Sequence, residues 1–363
     1  MAPALGVMLW HGGFRSPAQL AVAAVAALAV VLYGADLRPT LLGAGLAVAA
    51  AAAVASLAWH QDSSSVAPVL AAIAVLCLTA VAARARDRLA AELPLVVALL
   101  GATVATAGLA GLALHTEPLA ERIAGVWRAQ GTLEYPPALG LVCVCALAAT
   151  LALHAHGTLD RPSAVTVGVL LVGAAIATFD RVAWVETAAV LVLFAARLTA
   201  MRRTVVLIGA VSVIGGAAAL AVSHPSRASL ERHLRHGPIS SRSDVWQASW
   251  NGFTERPWLG YGPGRFSDIY GPDARGRVSL AHDAVLEQAV ESGVVAAIGT
   301  AVALMAMLLA GVRGLASRDP LRLSAGVAAA AVALSGLYDI TWSFAPLLLL
   351  GAVSAVAVRG SRS

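Results

Sequence analysis

Long apolar runs with few polar interruptions recur along the chain, at about 18–34, 40–59, 66–83, 93–114, 137–153, 163–179, 182–197, 204–223, 291–311, 323–338 and 343–358. Each run approaches the length that crosses a ~30 Å hydrocarbon layer as a helix. The pattern predicts an all-α integral membrane protein of about 11 (10–12) transmembrane helices. It has no clear internal repeat, so residues 1–363 form one polytopic membrane domain. One polar stretch breaks the rhythm, residues 224–283, as a long loop between the eighth and ninth spans. The first run could pass for a signal peptide, but "GADLRPT" after it is a poor cleavage site. The opening "MAPALGVMLW" is too short to span and reads as an interfacial piece or the remnant of a twelfth helix.

Composition agrees with the pattern. Of 363 residues, 59% are hydrophobic and 12% charged, against about a quarter charged in a soluble domain. All 25 basic residues are arginine. A GC-rich genome accounts for that, although arginine also holds diphosphates bidentately and cannot lose its charge. The arginines orient the chain. Thirteen (Arg38, Arg84, Arg86, Arg88, Arg161, Arg197, Arg202, Arg203, Arg313, Arg318, Arg322, Arg359, Arg362) fall on one side of the predicted bundle. Only Arg15, Arg122, Arg128 and Arg181 occupy short segments on the other side. By the positive-inside rule the first side is cytoplasmic and the 224–283 loop is external. Cys77, Cys143 and Cys145 lie inside apolar runs and read as small core residues. No metal-ligand motif is present, and the basic residues are too scattered for a nucleic-acid surface.

Four stretches on the predicted outer face could carry chemistry. In "WRAQGTLEYPPALG", Arg128 precedes a turn-like Gly131 and the Tyr135-Pro136-Pro137 entry to the fifth span. Asp180 and Arg181 of "TFDRVAWVE" sit in a short hairpin, where they either mark the water boundary or hold a ligand. The segment from Ser241 to Trp250 has helical spacing, with Arg242 at its start and Trp246 and Trp250 on one face as interfacial anchors or sugar-stacking rings. The glycine-spaced "LGYGPGRF" beyond it follows no strand, so it is a tight turn and not a nucleotide fingerprint. In "AHDAVLEQAVESG" a helix begins near His282, with Asp283 as N-cap and Glu287 and Glu291 on its polar side. A lone histidine at a helix start is commonly structural. Beside several arginines it suits a base acting near a phosphate-linked centre.

The run from the arginine-tryptophan helix through "ERPWLGYGPGRF" to "AHDAVLEQAVESGVV" resembles the O-antigen ligase and O-antigen polymerase superfamily. Its members usually show PxxGxGxGxF followed by HNxxLxxxxExG. "RAQGTLEYPPALG" is similar to the family's arginine-glycine turn before an NPN-like helix start, and "DRVAWVE" stands where Ser-Arg-Gly is common. The likeness covers roughly residues 125–358.

The resemblance implies a bacterial inner-membrane glycosyltransferase working at its external, periplasmic face. Its donor would be a glycan on undecaprenyl diphosphate, transferred with inversion and without metal or cofactor. The acceptor would be a lipid or protein in a ligase, or the glycan end of another lipid-linked chain in a polymerase. Carried over, His282 is the general base, and Arg242, Arg181 and Arg128 bind the diphosphate. Asp283, Glu287 and Trp246 support them. Three departures stand out: Asp283 for an asparagine, the second proline of Pro136-Pro137 for another, and Asp180 for a serine. A transporter would need ionisable residues or broken helices at mid-membrane, and a noncatalytic assembly protein would not gather arginines and a histidine at one place.

Overall fold

The computed structural model describes residues 2–10, 16–36, 40–123, 125–223, 242–271 and 280–360. Each of the eleven predicted apolar segments coincides with a helix: α2 (Ser16–Tyr33), α3 (Leu41–His60), α4 (Val66–Arg84), α5 (Arg86–Leu114), α6 (Pro136–Ala155), α7 (Arg161–Ala177), α8 (Arg181–Arg197), α9 (Arg202–Ser223), α12 (Ala284–Leu315), α13 (Pro320–Ser335) and α14 (Ala345–Gly360). The opening decapeptide contributes α1 (Ala2–Gly6), whose Ala4 and Leu5 are fully buried against neighbouring helices. α5 starts seven residues earlier than its apolar run, at Arg86, and carries Pro94 inside. Between α5 and α6 lies a hairpin the apolar pattern does not predict, β1 (Ala120–Ile123) antiparallel to β2 (Val126–Ala129). Of the predicted loop, residues 224–241 and 272–279 lie outside the described residues. The remainder folds into α10 (Ser243–Glu255) and the single turn α11 (Ser267–Tyr270). Arg15, Arg38 and Arg362 also lie outside the described residues.

By length and composition, seven described helices can cross a membrane: α2, α3, α4, α5, α6, α9 and α12. α7, α13 and α14 are shorter but apolar. This is a multi-pass, predominantly helical membrane protein.

Small residues decide how the helices meet. Lipid is as apolar as the side chains, so close backbone packing replaces the hydrophobic drive. Gly45 and Ala49 of α3 lie against Gly299 and Ala303 of α12, and a Cβ on either glycine would overlap the partner's backbone. Gly314 and Gly326 bring α12 and α13 together in the same way. α6 is the central helix, buried over nearly its whole surface. α2 and α9 are peripheral and turn side chains such as Leu28, Val31 and Val213 outward. Several helix starts carry a side-chain cap: Thr40, Asp160, Asp180, Asp283 and Asp319 each accept a backbone N–H. Each cap contributes about 1 kcal/mol.

α12 is two helical segments joined at Gly293, whose φ of 85° and ψ of −179° break the ladder. The break frees carbonyls of the preceding turn, which in a membrane protein need new partners. The glycine-spaced loop supplies them. Tyr261 N donates to Val290 O at 2.9 Å and Gly262 N to Glu291 O at 2.8 Å, while Val294 N donates to Pro257 O at 2.8 Å. Gly260 and Gly293 permit this approach: both have positive φ, and a Cβ on either would overlap facing backbone. α3 and the turn before α4 hold the loop from behind, through Ser56 Oγ to Leu259 O (2.7 Å) and Ser65 Oγ to Pro263 O (2.6 Å). The sequence suggested a turn leading back to the membrane. The structure makes it the splint of a broken helix.

Gly293→Ala is therefore expected to cost at least ~2 kcal/mol of stability, read as a lowered unfolding midpoint in nanodiscs. Gly209→Ala on α9, where a Cβ meets open space, should stay within ~0.5 kcal/mol. Equal effects would contradict this account of the kink.

Candidate active site

Three helices begin at the same end of the bundle with one local geometry. Glu134, Phe179 and His282 take positive φ of 56°, 53° and 55°, and each immediately precedes the N-cap residue of α6, α8 or α12. A left-handed residue turns the chain sharply into the helix, at a cost of about 1–2 kcal/mol for a side chain with a Cβ. Such strain persists where surrounding contacts determine it. At α12 those contacts are plain. Asp283 Oδ1 accepts Leu286 N at 2.8 Å, and Ala284 N donates to Gly336 O at 2.7 Å. Asp283 is the N-cap that the sequence predicts, and burial pushes its carboxyl pKa up.

His282 thereby faces the turn between α13 and α14. Its Nδ1 is buried and lies 3.5 Å from Asp339 Oδ1. Asp339 is only 3% exposed, whereas the His282 side chain is 28% exposed, so the imidazole edge away from Asp339 is the accessible one. The same Oδ1 accepts from Tyr135 OH at 2.5 Å and from Ile340 N at 2.6 Å. Burial, and then the neighbouring Asp339 carboxylate, hold the Tyr135 phenol well above its ordinary pKa, so it stays a donor. His282 Nδ1 makes no hydrogen bond among the described residues, and Asp339 is the carboxylate that faces it.

The three predicted arginines gather around this unit with different duties. Arg242, at the start of α10, donates from Nη1 to the Tyr338 carbonyl, one residue from Asp339. Arg128 on β2 donates to Thr178 O and Phe179 O, both at 2.9 Å, and so closes the C-terminal end of α7. Burial lowers its pKa, and the charge of Asp180 acts in the opposite direction. Arg181 is the first residue of α8, beyond a three-residue connection, and acts electrostatically on Arg128. Asp180 caps α8 through Val182 N at 3.1 Å, and burial raises its carboxyl pKa. Tyr135 feels the charges of both Arg242 and Asp180. Tyr135 and Asp339 thus bring together the starts of α6 and α12, and Arg242 ties the start of α10 to the neighbouring Tyr338. Helix starts and guanidinium groups at one place favour an anion.

Glu287 and Glu291 differ from expectation. The sequence places them on a polar face, yet both are buried, because that face packs on the glycine loop and on the 3-10 turn Ile340–Ser343. Glu287 accepts Ser343 Oγ at 2.7 Å and Ala281 N at 3.3 Å, and Glu291 accepts Phe266 N at 3.2 Å. They brace the segment that carries His282. Trp246 is half-buried with its indole N–H enclosed and unpartnered among the described residues, while Trp250 is 56% exposed and leans on Phe253.

A cavity of about 550 Å³ with Asp339 in its lining lies between α2, α3, α4, α12 and α14. None of the four predicted basic residues lines it. Among the described residues no group of three or more His, Cys, Asp or Glu side chains is arranged to hold a metal ion.

Sequence reasoning singled out His282, Asp283, Arg242, Arg181 and Arg128 and did not name Asp339, Tyr338 or the hydroxyl of Tyr135, which the structure sets beside His282 and Arg242. One signal was available: "LYDITWS" places an acidic residue at the short break between the last two apolar runs, on the predicted side of His282.

No curated protein matches the chain. Residues 166–301 match the family model described as O-Antigen ligase. That segment runs from α7 into α12 and contains Arg181, Arg242, Trp246, His282, Asp283 and Glu287, with Arg128 and Asp339 beyond its limits. The match covers somewhat over a third of the chain and, joined to a helical membrane fold, supports membership of the O-antigen ligase superfamily.

Proposed function

We propose that this protein transfers a glycan from undecaprenyl diphosphate to an acceptor hydroxyl, in the manner of an O-antigen ligase. The observation that carries the reading is the His282–Asp339–Tyr135 chain, set beside Arg242 and the Asp180–Arg181 turn. His282 Nε2 takes the proton of the acceptor hydroxyl as its oxygen attacks the anomeric carbon. The bond from that carbon to the diphosphate oxygen breaks, and its electron pair leaves with the diphosphate. Asp339 stabilises the imidazolium formed, while Tyr135 and Ile340 N fix the carboxylate in place. Arg242 and Arg181 offset the charge gathering on the leaving group, which places cationic stabilisation where charge develops. Arg128 positions Arg181 by holding the α7–α8 turn. A single displacement inverts the anomeric centre. A lipid diphosphate leaves readily, so base, clamp and a positioned acceptor suffice without a metal.

In this reading all eleven helices cross the inner membrane of a bacterium, including α7, α8, α13 and α14 at 16 or 17 residues. The end bearing His282 faces outward, a placement that the arginine distribution supports. Residues 242–271 lie at that face, and no nucleic acid takes part. The acceptor decides between ligase and polymerase.

Purified protein in nanodiscs with a pool of undecaprenyl-diphosphate glycans should release undecaprenyl diphosphate. His282→Ala is expected to lower kcat by about 10²–10⁴-fold. Arg242→Ala should lower kcat/KM by about 10²-fold or more. Release unaffected by His282→Ala would remove the histidine as base.

Asp339→Asn tests the orientation of the ring. It is expected to lower kcat at least ~10²-fold with donor KM little changed. Tyr135→Phe, which removes one donor to Asp339, should give a smaller loss of about tenfold. An Asp339→Asn enzyme of full activity would break the link between the carboxylate and the base.

A further inference from the structure

We infer that the end of the bundle away from His282 holds a separate site, a cleft that seats an anionic glycerophospholipid with its phosphodiester at Arg86 and Arg359. The site is independent of the transferase reading. α3, α4 and α14 each have one end beside the His282 region, marked by Ser56, Ser65 and the turn Ile340–Ser343. A cavity of about 370 Å³ lies between their other ends. Its volume falls within the ~300–1,000 Å³ typical of small-molecule sites. The rim is polar: Arg86 opens α5, Arg359 stands in the last turn of α14, and Asp36 and the α3 cap Thr40 lie with them. The depth is apolar, walled by Ala47, Leu76, Ala80 and Val356. At 1.5 Å per residue, Ala47 lies about 10 Å along α3 from Thr40 and Leu76 about 12 Å along α4 from Arg84. The cleft therefore has a charged mouth and room for an apolar stem.

Charge selects the head group. Two guanidinium groups and one carboxylate line the cleft, an excess of one positive charge. An adjoining recess shares Asp36 and Arg86, adds Arg84 and Asp87, and keeps that excess. Asp87 lies 3.8 Å from Arg86 Nε with both side chains exposed, a pairing that solvent weakens. Asp36 has a partner of its own, whereas Arg359 makes no ion pair among the described residues. Arg88 is paired with Glu92 at 2.8 Å and lines neither space. One acidic phosphodiester matches the excess, and the planar guanidinium suits its two free oxygens. The start of α3, a 20-residue helix, adds a dipole of the same sign. A zwitterionic head would instead bring an ammonium group among Arg84, Arg86 and Arg359, and a soluble anion would leave the apolar wall uncovered. Basic clefts between membrane helices recognise anionic lipid heads in this way. A lipid seated here bridges α3, α4, α5 and α14 at the end the splint does not reach.

Native mass spectrometry tests the assignment. The full-length protein, stripped of lipid in detergent, is titrated with phosphatidylglycerol or with phosphatidylethanolamine of the same acyl chains, and bound lipids are counted. One phosphatidylglycerol should bind at least about fivefold more tightly than phosphatidylethanolamine and should raise the unfolding midpoint. Arg86→Gln and Arg359→Gln should each weaken that binding about fivefold. Arg203→Gln, in the first turn of α9 at the same end and outside the cleft, should leave it unchanged. Ala47→Phe, which fills the apolar part from a half-buried position, should cut it about tenfold. Glycerol phosphate in large excess should not displace the lipid. Arg86 and Arg359 are exposed, so both variants should keep the lipid-free unfolding midpoint, and the comparison of the two lipids needs no variant. Equal binding of phosphatidylethanolamine would overturn the charge selection. An equal loss in Arg203→Gln would show diffuse attraction to a basic surface, and displacement by glycerol phosphate would show a soluble-anion site; either result would overturn the lipid cleft.

Discussion

The geometry of the site depends on one set of backbone hydrogen bonds. Where α12 breaks at Gly293, the amides of Tyr261 and Gly262 and the carbonyl of Pro257 take up groups the helix no longer satisfies. Without that splint the first segment, Ala284 to Ser292, would either continue straight or leave buried polar groups unpaired, at several kcal/mol each. With it, the segment is turned so that His282 meets Asp339 and Glu287 meets Ser343. The glycines that look like a motif are the steric condition for two backbones to touch.

Around this splint the protein uses polar groups for position more than for display. Arg128 closes a helix end, Glu287 and Glu291 accept loop amides, and Asp180 and Asp283 cap the helices that begin at the site. Each contributes roughly 1–3 kcal/mol of local order. Together they allow three left-handed residues to persist where three helices begin. Under the proposed function rigidity there is useful, because a base displaced by about 1 Å loses much of its advantage.

Much of the fold was legible in the sequence because lipid imposes a simple rule. Apolar runs of sufficient length become helices, and all eleven did. The β1–β2 hairpin was not legible: "AERIAGVWRA" has neither a long alternating pattern nor a strong turn pair, and its order comes from packing on α5. In the site, residues that stand at helix starts with distinctive neighbours, such as His282, Asp283 and Arg181, could be found by spacing. Asp339 could not, because its importance comes from a contact with His282 across 57 positions of chain, set by how α12, α13 and α14 pack. The burial of Glu287 and Glu291 escaped for a related reason. A polar helix face ordinarily reads as a wet one, and only the docking of the glycine loop makes it an interior.

The splint also bears on how such a site can be inherited. Its bonds run from main chain to main chain, so Leu259, Tyr261 or Val290 can be exchanged without altering the register that aims the histidine. What must persist is a pair of positions without a Cβ and a proline-led loop of fixed length between α10 and α11. A lineage can therefore rewrite many side chains on the rim of the site while His282 keeps the same address.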